Sequence, residues 1–327
     1  MTDVTVDAGP GRRVPTTPPT SGSTAGPRRH RRVDTGEVEL DVEVLGPTAG
    51  PPRSPVLLIA GLGAQRIDWP PGLIDALRDA GHEVVLFDNR DAGASSGCDD
   101  RPGDRDDLDR WRDGSSFRVP YALRDMADDT IAVLDHLGIE VAHVLGRSMG
   151  GMIAQRLAIH APDRVLSLTS MQSTTGAPGV GQPTEAAMAA LAVETPPERE
   201  AVIEAGLART RITGSPGLVD EEFVRRRIGA AFDRAHRPEG TTRQLLAILG
   251  EPDRTPLLAG IRIPTLVIHG DADTLVQVAG GRATAAAVPD ARLVEIAGLG
   301  HDLPEQLLGQ VATAIVAHLA AAEGPRR

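Results

Sequence analysis

Val141-Ala-His-Val-Leu-Gly-Arg-Ser-Met-Gly-Gly-Met-Ile-Ala-Gln-Arg-Leu-Ala-Ile159 sets one serine, Ser148, between an apolar strand and an amphipathic helix. Gly146 and Gly150 stand two residues to either side of it, where a sharp strand-to-helix turn leaves no room for a Cβ. This is the pattern of a nucleophile elbow. It lifts the hydroxyl clear of the sheet, aims a helix N-terminus at developing negative charge, and frees the N–H of Met149 to bind an oxyanion. Ser148 is therefore the first candidate for a covalent catalyst.

Gly93-Ala-Ser-Ser-Gly97 spells the same Gly-x-Ser-x-Gly pattern around Ser95. Context separates the two. Behind Ser95 runs Gly-Cys-Asp-Asp-Arg-Pro-Gly-Asp-Arg-Asp-Asp, which lacks apolar periodicity and cannot supply the helix an elbow requires, so Ser95 reads as loop. Cys98, in that same stretch, is the only cysteine, which excludes an internal disulfide and a multi-cysteine metal site. With no helix N-terminus or base beside it, it reads as a bystander thiol.

The 327 residues suffice for one large α/β domain with an insertion, and 41% hydrophobic content fits a globular core. The formal charge is −11, and six arginines precede Val33 against only Asp3 and Asp7, so the remaining body is more acidic still. Nucleic-acid binding is not expected. All 34 basic residues are arginine. Without lysine, Schiff-base chemistry, pyridoxal-phosphate chemistry and a P-loop are excluded. No apolar run is long enough to span a membrane and no secretory signal is legible, so a cytoplasmic protein acting on a small molecule, without metal or organic cofactor, is expected. Residues 1–31, rich in Pro, Thr, Ser, Gly and Arg, read as a disordered tail.

Beyond the tail, Gly36 to Gly46 alternates Val38, Leu40, Val42 and Val44 with polar residues, the pattern of a half-exposed antiparallel edge strand. Short apolar runs follow at Pro55–Ala60, Val84–Phe87, Val141–Leu145, Val165–Thr169, Leu266–Ile268 and Leu293–Ile296, mostly separated by helical patterns. Such runs predict a largely parallel sheet covered on both faces. Residues 32–175 and 261–327 form the two parts of this core, while 176–260 offers helical stretches but no convincing strand and reads as an inserted helical cap.

A serine hydroxyl needs an imidazole to take its proton, and the imidazole needs a carboxylate to hold its tautomer. In open α/β sheets such groups gather at the carboxyl ends of strands, where only His269 and His301 closely follow the later strands. His301, in Ala-Gly-Leu-Gly-His-Asp, follows the last strand and is the expected base; His269 reads as support for a turn. Of Asp271 and Asp273, Asp273 is the expected acid because the first aspartate more naturally shapes the turn. The loop Ala60-Gly-Leu-Gly63 after an early strand offers the N–H of Leu62 as the second oxyanion donor.

With serine, acid and histidine in that chain order, residues from about Gly36 to Ala320 resemble the α/β-hydrolases, and among them the aclacinomycin methylesterase-like serine esterases. The matching pieces are Leu-Ile-Ala-Gly-Leu-Gly-Ala-Gln, Phe-Asp-Asn-Arg-Asp-Ala-Gly-Ala-Ser, Leu-Gly-Arg-Ser-Met-Gly-Gly-Met, Gly-Asp-Ala-Asp and Gly-Leu-Gly-His-Asp, with Trp69-Pro70. The resemblance implies carboxylic ester hydrolysis, with the cap lining most of the substrate pocket. Amide or carbon–carbon bond hydrolysis, perhydrolysis and a non-catalytic receptor on the same scaffold are the rival readings. Two departures stand out. Ala60-Gly61 replaces the His-Gly of many relatives, and Arg147 beside the nucleophile either meets an acidic substrate group or turns into a structural salt bridge.

Overall fold

The computed structural model describes residues 26–192 and 197–324. Eight strands form one sheet: β1 (Arg28–Asp34), β2 (Glu39–Leu45), β3 (Arg53–Ile59), β4 (His82–Phe87), β5 (Ala142–Arg147), β6 (Val165–Met171), β7 (Thr265–Gly270) and β8 (Arg292–Ile296). Their spatial order is β1-β2-β4-β3-β5-β6-β7-β8, antiparallel at β1–β2 and β2–β4 and parallel from β4 onward. The helices are α1 (Pro71–Asp79), α2 (Arg105–Arg112), α3 (Leu123–His136), α4 (Met149–His160), α5 (Glu185–Ala192), α6 (Arg199–Thr213), α7 (Glu221–Arg234), α8 (Pro238–Leu249), α9 (Thr255–Leu258), α10 (Ala279–Ala287) and α11 (Glu305–Glu323).

Strand periodicity divides the core in two. On β3, Leu57 and Ile59 face the layer of α3 and α4, against Met126, Leu134, Ile153 and Leu157. Val56 and Leu58 face the opposite layer, against Leu73 and Leu77 of α1 and Val311 and Ile315 of α11. Because both faces are covered, the parallel strands read as continuous apolar runs. Truncating a side chain such as Ile153, which is fully buried, to alanine costs about 2–5 kcal/mol.

Two expectations need correction. The segment read as a tail contributes β1 from Arg28 onward, paired residue for residue with β2 from Arg28↔Leu45 to Asp34↔Glu39. Its arginines meet carboxylates, as in Arg29–Glu83 at 2.6 Å and Arg28–Glu43, and Val33 is fully buried. The rest of that segment, residues 1–25, lies outside the described residues. Consequently β1, not β2, is the edge, and β2 is largely buried between β1 and β4. A charge-rich strand suits an edge because like charges discourage pairing with another chain.

Between β6 and β7 the described residues contain helices and no strand. Part of their attachment to the core is ionic, beside the buried Ala247 and Leu258. The loop Asp88-Asn-Arg-Asp91 after β4 is buried: Arg90 grips Asp129 of α3 through two bonds of 2.7 and 2.8 Å, and Arg243 of α8 grips Asp91 at 2.9 and 2.7 Å. Such paired forks explain why arginine serves here, since a lysine ammonium cannot bind a carboxylate through two parallel donors.

Candidate active site

Ser148 stands alone between β5 and α4 with φ 57° and ψ −122°. For a residue with a Cβ this backbone costs about 1–3 kcal/mol, strain that the surroundings must hold. A Cβ on Gly146 would collide with the carbonyl of Gly150, and one on Gly150 with the carbonyl of Ile59 in β3. The turn is held from behind: the Ser148 N–H donates to Met171 O at 2.9 Å, and Ser173 Oγ donates to Ser148 O at 2.9 Å.

His301 reaches this turn from the loop between β8 and α11. Its Nε2 lies 3.1 Å from Ser148 Oγ, and its Nδ1 lies 2.7 Å from Asp273 Oδ2. An ionised carboxylate only accepts, so Nδ1 carries the proton and Nε2 is left to accept from the hydroxyl. Burial alone would raise the Asp273 pKa, but His301, by its charge when protonated, with hydrogen bonds from His269, His301 and the Val276 N–H, holds it below the ordinary carboxylate value. The carboxylate is therefore ionised at neutral pH.

The two aspartates differ from the sequence reading in what they do to the backbone. Asp273 itself shapes the turn after β7, its Oδ1 accepting the N–H groups of Leu275 and Val276 at 2.9 and 2.8 Å. Asp271 Oδ1 instead accepts the N–H of Gly298 at 2.7 Å, tying down the neighbouring loop. Both oxygens of Asp273 are thus engaged, one on its own turn and one on His301. His269 donates Nε2–H to Val276 O at 2.6 Å and braces that turn.

The loop after β3 packs on the elbow: a methyl group at Gly61 would lie 3.2 Å from Ser148 Cβ and 3.7 Å from its Oγ. Leu62 follows directly. Its N–H and that of Met149, the first residue of α4, donate to no backbone carbonyl outside regular helices and strands and to no side chain among the described residues. The loop is pinned by Asn89 Nδ2 on Ala60 O at 3.1 Å and by the Gly63 N–H on Gln244 Oε1 at 2.8 Å.

Other singled-out groups lie elsewhere or act differently. Ser95 is fully buried, donating to Asp88 O at 2.6 Å and accepting from the Asp41 N–H at 2.9 Å. Cys98 is buried, and burial, with Asp91 beside it, pushes its thiol up to about 12. Arg147 does not turn into a salt bridge: its guanidinium Nε and Nη2 reach Gln172 Oε1 and His301 O, both at 2.5 Å, and it has no carboxylate partner among the described residues.

A family model described as the alpha/beta hydrolase fold matches residues 54–306. The chain belongs to the α/β-hydrolase family. This α/β-hydrolase is 31% identical to the rhodomycin D methylesterase of Streptomyces peucetius, across 89% of this chain and 98% of that enzyme. It is 26% identical to a 2-hydroxy-6-oxononadienedioate/2-hydroxy-6-oxononatrienedioate hydrolase of a Pseudomonas species, across 82% and 89% of the two chains. Among solved structures, the enol-lactonase from Burkholderia xenovorans LB400 superposes with a TM-score of 0.68 at 24% identity, covering 89% of this chain and 99% of that one. The protein is a hydrolytic enzyme.

Several residues around the site of this α/β-hydrolase escape motif reading. Gln172 donates Nε2–H to Gly300 O at 2.5 Å and to Asp302 O at 2.9 Å, and Asp302 Oδ1 accepts from Ser215 N–H and Oγ–H at 2.9 and 2.5 Å. Their only signal in the sequence is position: Gln172 directly follows β6 and Asp302 directly follows His301. At the opposite end of the sheet, His82, His143 and Glu323 gather with ligand-type atoms within 4.8 Å of one another. Here Glu323 is already engaged by the Ser54 N–H at 3.0 Å and Arg53 at 2.7 Å, while His143 Nδ1 bonds Ser167 Oγ at 2.8 Å, so the cluster reads as a structural strut. No helix among the described residues is long and apolar enough to cross a membrane.

Proposed function

We propose that the protein is a serine esterase, cleaving a carboxylic ester of a small, mainly apolar molecule. The hydrogen-bonded sequence Ser148, His301, Asp273, with separations of 3.1 and 2.7 Å, carries this reading. Ser148 Oγ attacks the ester carbonyl carbon as its proton passes to His301 Nε2, and Asp273 keeps Nδ1–H in place and stabilises the imidazolium. The N–H groups of Leu62 and Met149 receive the negative oxygen, helped by the N-terminus of α4. His301 then protonates the departing alcohol, and water, deprotonated by the same ring, releases the acid from the acyl-enzyme.

The helical segment 176–260 acts as the cap and supplies most of the pocket walls. With seven aromatic residues in the chain, aliphatic side chains do most of the lining. A methyl ester is the favoured substrate, supported by the rhodomycin D methylesterase relative at 31% identity. The test is labelling with a fluorophosphonate, followed by peptide mapping and a panel of methyl, aryl and amide substrates. Modification of Ser148 together with methyl ester turnover supports the reading. An unlabelled protein that turns over none of the panel refutes it.

A further inference from the structure

The loop carrying His301 has its backbone divided between two parts of the molecule. Its amides go to the end of α6 and the residues just after it: Gly300 N–H donates to Ser215 Oγ at 2.8 Å, and His301 N–H donates to Thr213 O at 2.6 Å. Its carbonyls go to the ends of β5 and β6. Gly300 O and Asp302 O accept from Gln172 Nε2 at 2.5 and 2.9 Å, and His301 O accepts from Arg147 Nη2 at 2.5 Å. Arg147 Nε in turn donates to Gln172 Oε1 at 2.5 Å, so the two side chains form one clamp over three successive carbonyls.

This clamp is rooted beside the nucleophile. Arg147 immediately precedes Ser148, and Gln172 immediately follows Met171, whose carbonyl holds the Ser148 N–H. Gln172 has φ 49°, a left-handed backbone that costs a non-glycine residue about 1–3 kcal/mol and aims its amide at the loop. The loop itself, Ala297-Gly-Leu-Gly-His301, has two glycines, one of them at φ 73°, and so has little intrinsic stiffness.

We propose that Arg147 and Gln172 are positioning residues that set the separation of Ser148 and His301 by gripping the carbonyls of residues 300–302. Nε and Nη2 of Arg147 are engaged by the protein, and the side chain acts on the His301 loop rather than on an acidic group of the substrate. This proposal rests on the esterase reading above, so its test includes a measurement that does not require turnover.

The variants are Arg147→Met, Gln172→Met, the double variant and Arg147→Lys, measured by ester hydrolysis, thermal unfolding and NMR of the His301 Nδ1 proton shared with Asp273. Each Met variant is expected to lose about 10²-fold in kcat, the scale of an ångström misplacement, with KM within about twofold. The double variant falls no further than the worse single one, because the pair acts as a unit, and the lysine variant recovers part of the loss. The Nδ1 proton signal broadens in both Met variants while the melting temperature stays within a few degrees. A rise in KM for an anionic ester at unchanged kcat, additive losses in the double variant, or an unaltered Nδ1 signal overturns the proposal. A native protein without turnover or fluorophosphonate labelling refutes the esterase reading instead, and the Nδ1 signal still decides the clamp.

Discussion

Two serine–histidine–carboxylate alignments lie at opposite ends of the same sheet. At the carboxyl end, Ser148, His301 and Asp273 are separated by 3.1 and 2.7 Å; at the amino end, Ser167, His143 and Glu323 are separated by 2.8 and 3.6 Å. The second contact of the amino-end set, 3.6 Å, is beyond hydrogen-bond range, whereas both contacts of the carboxyl-end set are within it. Ser148 and His301 are partly open to solvent, whereas Ser167 and His143 are 0% exposed. Burial, with His82 beside it, pushes His143 down to about 4, so its ring resists accepting a proton. The carboxylate also differs: Asp273 braces the His301 ring from a turn whose amides hold it, while Glu323 is committed to Arg53 and Ser54. A catalytic site needs access and a free proton acceptor as well as alignment.

The sharpest break of this comparison is removal of each serine. Ser148→Ala is expected to lower turnover by roughly 10⁴–10⁶-fold, while Ser167→Ala and Ser95→Ala change it by less than about tenfold. Equal losses in steady-state assays would erase the distinction. The latter two variants cost stability instead, about 1–3 kcal/mol each by chemical denaturation, because each leaves buried partners without a hydrogen bond.

The acids come next. Asp273→Asn is expected to cost on the order of 10⁴-fold in kcat by favouring the wrong histidine tautomer, against about tenfold for Asp271→Asn. The reverse ranking in kinetic assays would move the acid to Asp271, despite its bond to Gly298.

A smaller effect reads His143 through pH. An unfolded histidine binds a proton below about 6.5, whereas buried His143 resists until about 4, so the unfolded chain binds more protons in that window. Stability is fully present above about 6.5 and falls as pH drops towards 4, by on the order of 3 kcal/mol from this group. Denaturant midpoints across pH 7 to 4 check this, and a slope unchanged in His143→Gln would assign the effect elsewhere. The smallest effect concerns Cys98, whose buried thiol, pushed up to about 12, is expected to resist iodoacetamide at pH 8 in the native state, read by mass spectrometry.

Much of this was legible because it depends on near neighbours in the chain. The alternation that splits Val56 and Leu58 from Leu57 and Ile59 has a period of two residues, and the crowded glycines around Ser148 sit two positions away. The arginine-rich stretch from Arg28 is not legible as a strand for the same reason, since nothing adjacent reveals that β2 offers it a ladder and Glu43 a counter-charge. The turn role expected of Asp271 falls to Asp273, which also faces His301, because backbone direction after β7 depends on the loop it packs against.

The two-sided covering of a largely parallel sheet, the elbow pattern and the chemical types at the candidate site were legible in sequence alone, because strand and helix periodicities and turn sterics act over a few residues. Tertiary structure decided which carboxylate oxygen faces His301, where β1 lies, and that Arg147 serves a backbone carbonyl 154 residues away. Those outcomes depend on directional hydrogen bonds between distant segments, whose partners exist only after the sheet has brought them together.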